Sequence, residues 1–243
     1  MRYLITFSYD GTLYNGYQKQ PNENTIQNKI EEVLFRLNSN SPVSIHASGR
    51  TDAGVHAINQ KAHFDMDRLY NLDILKNSMN KMLPQDIYIK NIEIVSDEFH
   101  ARFDVVSKEY NYKINIGEYN LFSRNYEWQF NDNLDIDKMK VAIKYLEGTH
   151  DFKAFTKNSL EIYDYTRTIL NTDIIEKDGI ITISVVGTGF LRYMVRNIVG
   201  LLIEVGIGKK NPEDIITILN SKDRTLFGRI APPCGLYLKN VNY

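Results

Sequence analysis

Apolar side chains alternate along residues 2–9, with Tyr3, Ile5, Phe7 and Tyr9 on one face, and the alternation stops at Asp10-Gly11. A period of two with a turn signal behind it predicts a strand. From Ile26 the period lengthens. Ile26, Ile30, Val33, Leu34 and Leu37 recur at helical spacing, and Asn24 with Gln27 three residues on resembles a capping box. Val43, Ile45 and Ala47 alternate into a polar stretch, residues 48–57, and Ala62 and Phe64 lead out of it, so a loop joining two strands is expected there. Leu72, Leu75, Met79 and Met82 mark a second helix stopped near Pro84, and Ile87, Ile89, Ile92 and Ile94 mark another strand. The first half is therefore strand, helix, strand, strand, helix, strand.

The second half repeats that order. Tyr110, Tyr112, Ile114 and Ile116 share one face, with Glu109, Asn111, Lys113 and Asn115 on the other. A long loop follows, then Ile136, Met139, Ile143 and Leu146 at helical spacing after Asp135, then two β-rich runs joined by Asp178-Gly179, a strong hairpin signal. The period of Phe190, Met194, Val195, Ile198, Val199, Leu202 and Val205 predicts a helix from Phe190 to about Val205. Asn211-Pro212 starts a further helix, and Leu236, Leu238 and Val241 suggest a closing strand. Two such βαββαβ units predict an α+β fold of two pseudo-symmetric, ferredoxin-like halves with mainly antiparallel sheets, divided as residues 1–100 and 101–243. No Pro/Gly/Ser-rich linker separates them, so they are expected to fold as one body around residues 96–104.

The 243 residues are 43% hydrophobic, enough to bury a substantial core. The single cysteine, Cys234, rules out an internal disulfide framework, and His46, His56, His63, His100 and His150 lack the paired spacing of a zinc site, so no metal is expected. The N-terminus enters strand-like sequence directly, and no apolar run approaches membrane-spanning length. A cytoplasmic, membrane-independent protein is the simplest expectation. The formal net charge of −1 argues mildly against a nucleic-acid partner, because Lys and Arg usually supply the affinity for phosphate. Arg50, Arg102, Lys108, Arg192 and Arg196 are nevertheless placed to make a local basic patch, and a polarised surface is expected.

Within the polar stretch, Ser48-Gly49-Arg50-Thr51-Asp52-Ala53-Gly54-Val55-His56-Ala57, a carboxylate is flanked by glycines that allow unusual backbone angles and close approach. An aspartate in such a loop is commonly a turn former. Beside the Arg50 guanidinium it is also expected to be an anion at neutral pH, available as base or nucleophile.

Gly49-Arg50-Thr51-Asp52-Ala53-Gly54-Val55-His56-Ala57 resembles the signature of the TruA family of tRNA pseudouridine synthases. Tyr9-Asp10-Gly11-Thr12, Phe99-His100-Ala101-Arg102-Phe103, Lys108-Glu109-Tyr110-Asn111-Tyr112 and Met194-Val195-Arg196-Asn197-Ile198-Val199-Gly200 match the same family in its order. The resemblance covers nearly the whole chain. Where the family usually has tryptophan this sequence has Tyr17, which implies a packing difference. The resemblance implies joined sheets with an RNA-binding cleft between the halves, a homodimer, no cofactor, and isomerisation of uridine in the tRNA anticodon stem-loop, at positions 38 to 40. It also implies roles for particular residues. Asp52 is the catalytic carboxylate, and Arg50 fills the gap left by the everted uridine. Tyr110 stacks on the base, with Tyr112 a core residue, and Arg196 pairs with Asp52 to hold it ionised. Arg192, Lys108 and Arg102 are expected to contact RNA phosphate, and His56 and Asn197 stand as candidate supports.

Three rivals remain on the sequence alone: a non-catalytic RNA-binding or RNA-folding protein on the same scaffold, a paralogue with a different RNA target, and a metal-dependent hydrolase using Asp10 and Asp52. The intact Arg50-Thr51-Asp52 opposes the first, and the lack of further ligands at suitable spacing opposes the last.

Overall fold

The computed structural model describes residues 1–156 and 164–243. The chain divides into two compact units, residues 1–106 with 237–243, and residues 107–236. The division thus falls between Val106 and Ser107, and the closing segment belongs with the first unit.

The first unit is α+β and follows the expected order. β1 (Arg2–Tyr9), α1 (Ile26–Leu37), β2 (Ile45–Ala47), β3 (His56–Asp65), α2 (Leu72–Met82) and β4 (Ile87–Val95) form it, completed from the far end of the chain by β10 (Leu236–Asn242). β1 lies between β4 and β3, antiparallel to both. On its other side β3 pairs antiparallel with β2 through Ala62–Phe64 and parallel with β10 through His56 and Ala57. Among β1 to β4 the spatial order is β4-β1-β3-β2, that of a ferredoxin-like unit. Helix α1 buries Ile26, Ile30, Val33 and Leu34, and α2 buries Leu75 and Met79, as their periods require. The α1 cap differs from expectation: Thr25 is the N-cap, its hydroxyl accepting from Asn28 N–H at 3.4 Å. Asn24 instead donates to the Leu13 carbonyl, and Gln27 turns toward Lys19 and Glu31, so no capping box forms.

The second unit contains β5 (Ser107–Asn115), β6 (Trp128–Gln129), α3 (Ile136–Lys144), β7 (Gly148–Asp151), β8 (Thr166–Lys177), β9 (Ile180–Gly187), α4 (Met194–Gly206) and α5 (Asp214–Ser221). Its sheet runs β5-β9-β8-β7, antiparallel throughout, with the short β6 parallel to β5. The β8–β9 hairpin turns at Asp178 and Gly179, with φ of 54° and 75°, the left-handed pair that gives a two-residue turn the twist of its strands. The short strands β6 and β7 carry no period of their own and were not expected.

Two helix starts shift. α5 begins at Asp214, with Asn211 and Pro212 in the turn before it, where Asp214 N–H donates to the Asn211 carbonyl. α4 begins at Met194, not Phe190, because Tyr193 adopts φ +64°. The turn from Leu191 to Met194 places residues three apart together, as a helix does, so the apolar period continued through it. Arg192 therefore lies in that turn and not on the helix. Helix α4 is buried almost all round: at Gly200 a Cβ would stand 1.9 Å from the Arg229 carbonyl oxygen. Among the described residues no helix is long and apolar enough to cross a membrane.

Candidate active site

The stretch 48–55 joins β2 to β3 as expected, and its backbone is gripped from three sides. Beneath it, Ser48 N–H donates to the Lys61 carbonyl at 2.8 Å and its hydroxyl to Gln60 Oε1 at 2.6 Å, while Gln60 Nε2 donates to the Gly49 carbonyl at 3.0 Å. At its centre Thr51 is held twice. Tyr17 N–H donates to its carbonyl at 3.1 Å, and its hydroxyl lies 2.9 Å from the Tyr9 hydroxyl. The β1–β3 register slips between Phe7 and Tyr9, setting Tyr9 opposite Ala57 at the mouth of the loop. Burial pushes the Tyr9 phenol up to about 12, so it stays a neutral hydrogen-bonding group at neutral pH.

From the third side the β1–α1 connection closes down. A Cβ on Gly11 would stand 2.0 Å from the Val55 carbonyl oxygen, and one on Gly16, at φ +90°, 2.9 Å from the Thr51 carbonyl oxygen. Gly54 takes φ +76° and donates its N–H to the Tyr14 carbonyl, whereas Gly49 contributes its carbonyl to Gln60. Held so, the loop carries a half-buried Asp52 between buried Thr51 and exposed Ala53, with Arg50 exposed one residue further back.

His56 is buried where β3 begins, its ring stacked 4.8 Å from that of Tyr237 on β10. Its Nδ1 accepts from Gly11 N–H at 3.1 Å, fixing the connection that presses on the loop. The Asp10 carboxylate oxygen nearest that ring accepts both the backbone N–H and the hydroxyl of Thr12, a turn-capping task. Among the described residues no group of three or more His, Cys, Asp or Glu is placed to hold a metal ion. Arg102 belongs to the turn at His100–Phe103, where it is exposed with its guanidinium 5.8 Å from the Phe103 ring.

The remaining expected residues lie in the second unit. Tyr110, on β5 opposite Val185, is buried with its ring edge-on to Phe190 at 5.0 Å, and Lys108 stands opposite Gly187 in the same ladder. Tyr112, two residues inward, is a core residue as expected, its hydroxyl donating to the Pro232 carbonyl at 2.7 Å. Arg196, in the first turn of α4, donates from Nε to the Ala231 carbonyl at 2.7 Å, and Ala231 N–H returns a bond to the Arg196 carbonyl. Asn197 donates to the Phe155 carbonyl at 2.7 Å, tying α4 to the short 3-10 turn Lys153–Phe155. Arg192 and Arg196 both bring their guanidiniums close to the ring of one residue the sequence reading passed over, Tyr193. Its signal was an aromatic side chain between two arginines, in Arg192-Tyr193-Met194-Val195-Arg196. An open pocket of about 600 Å³ in this unit, lined by Lys153, Lys222, Asp223, Arg224 and Thr225, contains none of the expected site residues.

The family model described as tRNA pseudouridine synthase matches residues 5–104 and 142–243. Three proteins named tRNA pseudouridine synthase A match over the whole of this chain. That of Geobacillus sp. (strain WCH70) is 42% identical over 243 residues, covering 98% of that protein. That of Exiguobacterium sp. (strain ATCC BAA-1283 / AT1b) is 46% identical over 242 residues and 98% of its length, and that of Bacillus subtilis (strain 168) 42% identical over 245 residues and 99% of its length.

Proposed function

The chain belongs to the tRNA pseudouridine synthase family, and from that premise we propose that Asp52 is the carboxylate with which it isomerises uridine to pseudouridine in the anticodon stem-loop of tRNA, at positions 38 to 40. The reaction breaks the C1′–N1 glycosidic bond, turns the uracil and joins C1′ to C5. The C5 proton leaves and N1 gains one. Nothing is oxidised or reduced, so the chemistry asks for a carboxylate and a water-excluding pocket and calls for no cofactor.

The observation that carries the reading is the loop 48–55. Its signature residues coincide with a backbone fixed by Thr51, Gly11 and Gly16, the rigid mounting a reactive side chain needs. Everting the uridine costs a few kcal/mol of stacking. Arg50, exposed two residues before Asp52, fills the vacated space, and Tyr110 stacks on the base, returning roughly 1–3 kcal/mol. Arg196 holds Asp52 ionised and aimed. Lys108, Arg192 and Arg102 meet backbone phosphates. The working form is a homodimer in the cytoplasm.

Replacing Asp52 by Asn preserves shape and removes the charge. Tritium release from C5-labelled uridine in tRNA is expected to vanish while tRNA binding stays within about threefold of wild type. Release at the wild-type rate would remove Asp52 from its role, and wild-type protein that binds tRNA without release would leave an RNA-binding or RNA-folding protein. Treatment with a metal chelator is expected to change nothing.

A further inference from the structure

Tyr193 has an aromatic side chain and a Cβ, yet its backbone is left-handed, φ +64° and ψ 0°, a region such residues seldom occupy. The surroundings impose it. Thr156 donates its hydroxyl to the Arg192 carbonyl at 2.9 Å, Met194 N–H donates to the Leu191 carbonyl at 3.1 Å, and Asn197 N–H donates to the Tyr193 carbonyl at 2.9 Å. The Asn197 side chain then ties this turn to Phe155. Strain of this kind persists only where neighbours over-determine it, and such places concentrate at working sites.

The left-handed turn brings the phenol ring within reach of two guanidiniums. Arg192 lies 4.9 Å from the ring centroid and Arg196 5.3 Å, both within cation–π range. Arg192 also donates from Nη2 to the Tyr193 hydroxyl at 3.2 Å. Arg196 is fixed at a second point by the Ala231 carbonyl, which accepts from Nε. That carbonyl belongs to the Arg229–Ala231 segment, which packs on α4 where Gly200 leaves no room for a Cβ and which Ala231 N–H ties to the Arg196 carbonyl. A ring face and one accepted hydrogen bond define both the position and the plane of a guanidinium.

We propose that Tyr193 is a positioning residue for the isomerisation: its ring, presented by the left-handed turn, holds the Arg196 guanidinium in the plane from which it supports the catalytic carboxylate. This rests on the assignment of Arg196 to Asp52 made above. Tyr193 touches no reacting atom. Its hydroxyl serves Arg192, so the ring and not the phenol carries the effect on turnover.

The test compares ring-less and ring-keeping variants in single-turnover tritium release, with kcat and KM for tRNA, the pH profile of kcat and thermal stability measured on each. Tyr193→Asn suits the left-handed backbone and removes the ring; Tyr193→Gly does so with still less strain, should the first fold poorly. Both are expected to lower kcat about tenfold, leave KM within about threefold, and move the acid limb of the profile to higher pH, with melting temperature unchanged or raised. Tyr193→Phe is expected to stay within about twofold of wild type in kcat. With Arg196→Ala already present, Tyr193→Asn should slow the enzyme no further.

Wild-type kcat and pH profile in the ring-less variants, or a change confined to KM, would overturn the proposal. So would equal loss in Tyr193→Phe. If Arg196→Ala is slow while the ring-less variants are normal, only the role of Tyr193 fails. If Arg196→Ala turns over normally, the assignment of Arg196 to Asp52 fails and this proposal goes with it.

Discussion

Tyr17 and His63 show how neighbours decide what a side chain contributes. The Tyr17 ring packs 6.5 Å from those of Phe7 and Tyr9, while its buried hydroxyl has no hydrogen-bond partner among the described residues. Tyrosine here leaves an oxygen desolvated. Tyr17→Phe is accordingly expected to raise stability by about 1 kcal/mol in urea unfolding, with tritium release unchanged. His63 is buried on β3, accepts from Ala101 N–H on Nδ1, stacks against His46 at 5.0 Å and meets His100 edge-on at 4.7 Å. Burial first, then the nearby charges of Arg2 and the other histidines, lower it to about 4. Between pH 6.5 and 4 the unfolded chain binds a proton there that the folded chain refuses. The stability contributed by the neutral ring is therefore complete above about pH 6.5 and is lost as pH falls toward 4. Lowering pH from 7 to 5 should cost up to about 2 kcal/mol in urea unfolding, above the range where carboxylates dominate. His63→Asn, whose Oδ1 can take over the bond from Ala101, should flatten that part of the curve; an unchanged slope would place the acid sensitivity elsewhere.

At the scale of elements, periodicity, β-rich composition and turn signals located the long helices and strands, and backbone conformation moved the starts of α4 and α5. β8 and β9 were legible because each is a β-rich run and Asp178-Gly179 turns between them. The start of α4 was not, because a turn and a helix both bring residues three apart together and only the sign of φ at Tyr193 separates them. The connections carry more than their composition suggests. Residues 10–25 hold no regular structure, yet Gly11 and Gly16 lie within contact distance of the loop that bears Asp52. Gly16→Ala puts a Cβ both at φ +90° and against the Thr51 carbonyl, so it is expected to cut kcat at least tenfold while the far-ultraviolet circular dichroism is retained. Gly200→Ala opposes backbone to backbone on a buried helix, and a loss of about 3 kcal/mol or more is expected, read as a lowered urea midpoint.

Over the whole molecule, the first unit is assembled from both ends of the chain. β10 pairs with β3 at His56 and Ala57, Tyr237 stacks on His56, and Tyr243 packs edge-on against Phe99 at 4.8 Å and donates its hydroxyl to the Ala101 carbonyl. Deleting residues 237–243 removes no expected site residue, yet it should abolish tritium release and strip β1 and β3 amides of protection in hydrogen exchange. Retained protection would show the first unit to be independent of its last strand. The sequence by itself determined the class of fold, the order of its long elements, and the stretch around Asp52, because hydrophobic period and a contiguous motif are local properties that need no partner to be read. Tertiary structure alone decided that β10 belongs beside β3, that Thr51 is gripped by Tyr9 and Tyr17, and that the guanidiniums of Arg192 and Arg196 both approach the Tyr193 ring. Each of those is a meeting of residues set by packing and by the sign of one backbone angle, which no periodicity along the chain encodes.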